Sequence, residues 1–180
     1  WALVNNATID TVGINEPSPP NAARFNGNPS GGDEIRTHVI DLGSETAVRL
    51  TYSYQIRGGG DSPESGDDLF VEYLNTGGSW VILRQHLGSG PDMTNFTEET
   101  LLLPAQAMHS SFRLRIRSTG TAGAFDDWFV DDVRMESANA PSAFDQATST
   151  AENMLKNLTL VGSDPNMVPD SFAAGQRNAP

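Results

Sequence analysis

Apolar and polar residues alternate along much of the chain in short blocks, and the blocks are separated by glycine, proline, serine and asparagine. A period of two is the mark of a half-buried strand. Residues 49–57, RLTYSYQIR, put Leu50, Tyr52, Tyr54 and Ile56 on one face and Arg49, Thr51, Ser53 and Gln55 on the other, since successive strand side chains point to opposite sides. Leu69, Val71 and Tyr73 alternate with Asp68, Phe70 and Glu72, and after the turn-forming residues 75–79 the run 80–84 predicts the return limb of a hairpin. In FRLRIR, residues 112–117, Phe112, Leu114 and Ile116 point inward and Arg113, Arg115 and Arg117 outward. A closing strand is predicted over 129–135, with Phe129, Val133 and Met135 toward the core, and further strands at 22–25, 34–42 and 98–103. Seven or more short strands with no helical period between them predict an all-β fold, an antiparallel sandwich rather than a parallel α/β sheet.

The character changes after Glu136. Residues 137–141 read as a linker, and Ser142 with Asp145 forms a capping box ahead of the apolar stripe Phe144, Ala147, Ala151, Met154, Leu155 and Leu158. One amphipathic helix is predicted over 143–158, followed by an extended tail of small and polar residues to Pro180. The chain therefore divides into a sandwich, 1–136, and an appendage, 137–180. A lone helix of that length is marginal in water, so Phe144 and Leu155, with Met167 and Phe172 in the tail, are the predicted contacts to a protein partner or a neighbouring subunit.

Charge and composition narrow the chemistry. With 23 Asp and Glu against 11 Lys and Arg, a net charge of −12 repels a phosphate backbone, and no nucleic-acid partner is expected. The absence of cysteine removes disulfides, thiol catalysis and cysteine zinc sites. His38, His86 and His109 have no spacing that places two on one metal. No apolar run approaches the roughly 20 residues of a membrane helix, so the chain is not expected to span a bilayer. Its opening at Trp1, without methionine or a charged-then-apolar leader, is expected of a processed protein or a piece of a longer one.

The acidic residues cluster. Asp61, Glu64, Asp67 and Asp68 share one loop, which reads first as a solvated face. Asp126, Asp127, Asp131 and Asp132 crowd around Trp128-Phe129-Val130. If Phe129 and Val133 face the core, Asp131 shares their face, and a carboxylate there costs several kcal/mol unless it meets a cation. That cation is either calcium, which takes six to eight hard oxygens, or an arginine of the row Arg113, Arg115 and Arg117. The candidate calcium ligands are Asn26, Asp33, Glu34, Asp127, Asp131 and Asp132, the first three from a loop that forms the opposite wall.

Several blocks in order resemble a known group. Pro19-Pro20, Ala23-Arg24-Phe25-Asn26-Gly27, Asp33-Glu34, Asp67-Asp68-Leu69-Phe70-Val71-Glu72-Tyr73, Gly78-Ser79-Trp80, Phe112-Arg113-Leu114-Arg115 and Asp127-Trp128-Phe129-Val130-Asp131-Asp132-Val133 are together similar to MAM-type or reelin-repeat-like jelly-roll domains. The resemblance covers about residues 1–136, and the closing block is its most specific part. It implies a jelly-roll β-sandwich, a non-catalytic interaction or assembly module of an extracellular, cell-surface or periplasmic protein, and a structural cation at the first and last strands. The disulfides of animal MAM domains are missing, as in bacterial relatives, and residues after 136 have no counterpart.

An enzyme is not expected. Asp131 and Asp132 are adjacent and point to opposite faces, whereas a glycosidase needs two carboxyl groups about 5 to 9 Å apart across a cleft, and no serine sits in a nucleophile-elbow glycine pattern. The alternative to an assembly module is a carbohydrate-binding module. The polar face of Thr51, Ser53 and Gln55 beside Arg113, Arg115 and Arg117 would hydrogen-bond sugar hydroxyls, with Trp80 or Trp128 as the stacking platform.

Overall fold

The architecture comes from a computed structural model, which describes residues 1–27, 32–120 and 125–138 together with the backbone of 142–143 and 162–163. The chain forms two units, Trp1–Ser137 and Ala138–Pro180. The strands of the first unit are β1 Leu3–Asn5, β2 Thr8–Asp10, β3 Ala22–Phe25, β4 Glu34–Arg36, β5 Val48–Ile56, β6 Leu69–Leu74, β7 Trp80–His86, β8 Thr97–Leu102, β9 Leu114–Ser118 and β10 Trp128–Ser137. They build two five-stranded sheets, ordered β1-β4-β9-β6-β7 and β2-β3-β10-β5-β8. Every pair is antiparallel, and the arrangement is a jelly-roll sandwich. Among the described residues no helix is long and apolar enough to cross a membrane.

The inward faces follow the period of two. Leu50 and Tyr52 of β5, Leu69 and Val71 of β6, and Leu114 and Ile116 of β9 are fully buried between the sheets with Phe25 and Phe112. β10 departs from its predicted face. Trp128 pairs with Ile56 and Val130 with Tyr54, so Trp128 and Val130 join the core and Phe129 and Asp131 point away from it. The register then shifts between Asp131 and Arg134, and Asp132 takes a left-handed φ of 49°. This bulge adds one residue, reverses the parity, and returns Val133 and Met135 to the core side.

Outward does not mean wet on this sheet. Phe129 is 0% exposed, and the Gln55 amide is buried because it exchanges two hydrogen bonds with the Ile14 backbone, Ile14 N to Oε1 at 2.9 Å and Nε2 to Ile14 O at 2.9 Å. Gly58 closes over both. Its φ is +54°, and a Cβ there would lie 2.8 Å from Phe129 and 2.7 Å from the Gln55 oxygen.

The strand predicted over 34–42 is cut short. β4 ends at Arg36 because the Thr37 hydroxyl accepts the Leu114 N–H at 2.9 Å, replacing a ladder carbonyl, and Ile40 rejoins only through a single bridge to Phe112. β1 and β2 are unpredicted edge strands whose residues are mostly exposed, so they carry no alternation to read. In the second unit, Ser142–Ala143 pairs antiparallel with Gly162–Ser163. Ser142 therefore does not cap a helix beginning at Ala143, since its backbone is extended. The remainder of the predicted helix and tail, with the predicted contacts Phe144, Leu155, Met167 and Phe172, lies outside the described residues.

Candidate functional site

At one end of the sandwich the β3–β4 and β5–β6 loops meet the residues leading into β10. Asp127 is 1% exposed and is neutralised inside the protein: Arg24 Nε donates to Oδ1 at 2.5 Å and Asp61 N to Oδ2 at 2.7 Å. Arg24 also pairs with Asp10 at 2.9 Å. The cation that answers Asp127 is thus an arginine of the adjacent strand β3 rather than one of the β9 row. Asp33 is fully buried. Its Oδ2 accepts the backbone N–H groups of Asn26 at 2.5 Å and Gly27 at 3.1 Å, while its Oδ1 has no hydrogen-bond partner. Burial pushes this carboxyl up from its ordinary range, the two backbone donors oppose that, and the Asp127 charge adds to it.

The other predicted ligands lie elsewhere. Glu34 pairs with Arg36 at 2.6 Å and with Arg115 at 3.6 Å. Asp131 and Asp132 share the Ser18 hydroxyl at 2.8 and 3.0 Å. The candidate ligands are therefore spread over separate places, and the two that adjoin β10's bulge are solvated rather than inward.

A different set of carboxylates converges. The ligand atoms of Glu64, Asp67 and Asp126 all lie within 4.8 Å of one another, with Asp67 and Asp126 buried and Glu64 exposed. The Asp126 carboxyl is raised to about 7, first by burial, then by the hydrogen bond shared with Glu64 and the charges of Asp67, Glu64 and Asp61. The turn carrying Glu64 and Asp67 is held from below, because Trp128 Nε1 donates to Asp67 O at 2.8 Å. Each of these acids was visible as part of an acidic run, but their meeting joins loops distant in sequence. Gly120 abuts the cluster, its absent Cβ falling 3.0 Å from Asp126 Oδ2 and 3.3 Å from Gly27 Cα.

The predicted sugar-stacking face is closed. Trp128 is 0% exposed and cannot serve as a platform, because the register of β10 points it into the core. Trp80 is half-buried, with the Arg115 guanidinium 4.2 Å and that of Arg36 5.4 Å from its ring centroid. Arg115 and Arg117 are both tied to Glu72, at 2.6 and 3.0 Å. Thr51, Ser53 and Gln55 belong to the opposite sheet, so they do not adjoin this row. Arg113 is half-buried on the residue before β9.

Beyond these predictions, a cavity of about 460 Å³ lies between β5, β7 and the 87–97 connection. Tyr54 and His86 stack on its wall, with ring centroids 3.8 Å apart and planes at 29°, and Tyr52 Oη lies 2.8 Å from His86 Nε2. Burial lowers the His86 pKa to about 4, with Glu99 raising it and Arg84 lowering it further. The unfolded chain takes up this proton near 6.5, so the depressed folded value contributes stability above about 6.5 that is lost as the pH falls toward 4. The difference in unfolding free energy between wild type and His86→Gln is expected to shrink by about 3 kcal/mol over that window. Denaturant melts at several pH values read this directly, and a pH-independent difference would show that the ring is not held neutral.

The fold and its loop-end carboxylates define a jelly-roll β-sandwich module. The sequence model of one family, described as Reelin subrepeat B, matches residues 13–136, and the chain belongs to that family. No curated protein matches the chain. Among solved structures, the chain is similar to the K3 cleaved adhesin domain of Lys-gingipain from Porphyromonas gingivalis, at 15% identity and a TM-score of 0.45 over 64% of this chain and 74% of that one. It is also similar to TmCBM61, solved with β-1,4-galactotriose, at 11% identity and 0.46 over 75% and 86%. The CBM35 domain of Paenibacillus barcinonensis follows at 17% identity and 0.44 over 72% and 91%.

Proposed function

We propose that the chain is a non-catalytic binding module working outside the cytoplasm, its loop end braced by calcium. The observation that carries this reading is the convergence of Glu64, Asp67 and Asp126. Three hard carboxylate donors suit a cation that prefers oxygen ligands, and their mutual repulsion, which adds to burial and the Glu64 hydrogen bond in raising the Asp126 carboxyl, is what a divalent ion would relieve. The unpartnered Asp33 Oδ1 sits beside Gly27 at the same end. Calcium there supplies charge and cross-linking, not chemistry.

The ligand class favoured for the module is carbohydrate rather than a protein assembly partner. The Tyr54–His86 cavity supports it with an aromatic wall and polar groups. The assembly role assigned to residues 137–180 draws no support from the described residues.

Calcium binding to the folded state alone is expected to add about 2.7 kcal/mol at one hundred times its Kd. Melting curves in calcium, magnesium and chelator test this. Asp126→Asn should leave the calcium-free melting temperature unchanged or higher, because one repelling charge is gone, while abolishing most of the calcium shift. Superimposable curves in calcium and chelator would remove the reading.

A further inference from the structure

We propose that the cavity between β5, β7 and the 87–97 connection is a binding site for a neutral pyranose. The inference names the ligand and place for the binding module argued above, and rests on that reading. Its size, about 460 Å³, falls within the roughly 300–1,000 Å³ of small-ligand sites.

The lining selects the chemistry. Tyr54 and His86 form a stacked pair, and a pyranose packs its C–H face on such a wall while its hydroxyls seek polar tips. The Tyr54 side chain makes ring contacts but no hydrogen bond among the described residues, which leaves its hydroxyl for a ligand. Thr97 and Gln85 add further polar groups to the lining, and Ile56, Leu87 and Met93 supply the apolar remainder. No carboxylate, lysine or arginine lines the cavity, and the nearby Arg84 and Glu99 neutralise each other in an ion pair. A charged ligand would meet no counter-charge. A purely apolar one would leave the Tyr54 hydroxyl unmatched.

The site is also built before any ligand arrives. His86 is 9% exposed and its ring is held by the Tyr52 hydroxyl at 2.8 Å. The connection over the cavity is pinned along its length: Gly88 N donates to Asp68 Oδ1 at 2.9 Å, Met93 N to Ile56 O at 3.3 Å, and Asp92 accepts from Arg57 at 3.2 Å and Ser62 at 2.6 Å. Such preorganisation removes ordering costs from binding. Gly88 packs against the backbone carbonyls of Glu64 and Asp67, so the roof of this cavity leans on the turn that carries the proposed calcium ligands.

The test is a titration of the full chain, in calcium, with neutral gluco-, galacto-, xylo- and manno-oligosaccharides of two to six rings, followed by amide NMR shifts, with uronic-acid and sialylated glycans as charged comparators. At least one neutral sugar should bind with a millimolar or tighter Kd and shift resonances of Tyr54, His86 and Met93. Tyr54→Ala should weaken it about tenfold or more, and Tyr54→Phe, which keeps the ring and the fold, should weaken it severalfold. Trp80→Ala should have no effect. The proposal is overturned if no neutral sugar shifts these resonances at millimolar concentration, if binding follows Trp80 instead of Tyr54, or if only charged glycans bind. The calcium shift in melting temperature, measured on the same samples, separates the two readings: a calcium-stabilised chain that binds no neutral sugar here sinks the cavity proposal alone.

Discussion

Replacing Asp127 with alanine is expected to lower the unfolding free energy of the sandwich by about 3–5 kcal/mol, the cost of breaking a buried ion pair from one side. The 1%-exposed carboxylate holds Arg24 at 2.5 Å and the Asp61 N–H at 2.7 Å. Without it Arg24 keeps only Asp10, at 2.9 Å, and the β5–β6 loop loses one of its tethers to the start of β10, keeping the Asp127 N–H to Asp61 O bond at 3.1 Å. Asp127→Asn retains an acceptor but no charge, so an intermediate loss is expected. Urea melts with calcium and with chelator discriminate the partners. An equal loss in both conditions assigns Asp127 to Arg24, whereas a loss confined to calcium would make Asp127 a metal ligand. A loss below about 1 kcal/mol in either would show that solvent reaches the pair, as at exposed ion pairs.

Glu72→Ala should cost a similar amount, about 3 kcal/mol or more. Glu72 is 3% exposed and accepts from Arg115 Nε at 2.6 Å and from Arg117 Nε and Nη2 at 3.0 and 3.2 Å. Those arginines in turn stack over Trp80 at 4.2 Å and Phe70 at 4.4 Å. Removing the carboxylate leaves Arg117 without its ion pair among the described residues and Arg115 with only Glu34, at 3.6 Å, two neighbouring guanidinium groups on one face of β9. Replacing Glu72, Arg115 and Arg117 together by Leu, Met and Leu should destabilise far less than Glu72→Ala, because desolvation of the charges nearly offsets their attraction. The comparison, made by denaturant melts, fails if the triple variant is the less stable of the two.

The all-β class was legible because it lives on a local signal. In Arg49–Arg57 and Phe112–Arg117 every second residue is apolar, and that parity alone determines which side chains of β5 and β9 reach the core. The ordered blocks from Ala23 to Val133 likewise pointed to the family whose model spans residues 13–136. Parity is also where local reading stops. One inserted residue at Asp132, φ 49°, separates the faces of β10 before and after it, so Trp128 became core, Phe129 and Asp131 turned outward, and the predicted calcium ligands there dissolved into a serine-linked surface pair. β1 and β2 have no buried face, so nothing in their residues marks them as strands. Only the tertiary structure decided which charges meet. Coulomb and desolvation energies depend on distances between loops far apart in sequence, and these brought Arg24 to Asp127, Glu64 and Asp67 to Asp126, and Tyr54 of one sheet to His86 of the other.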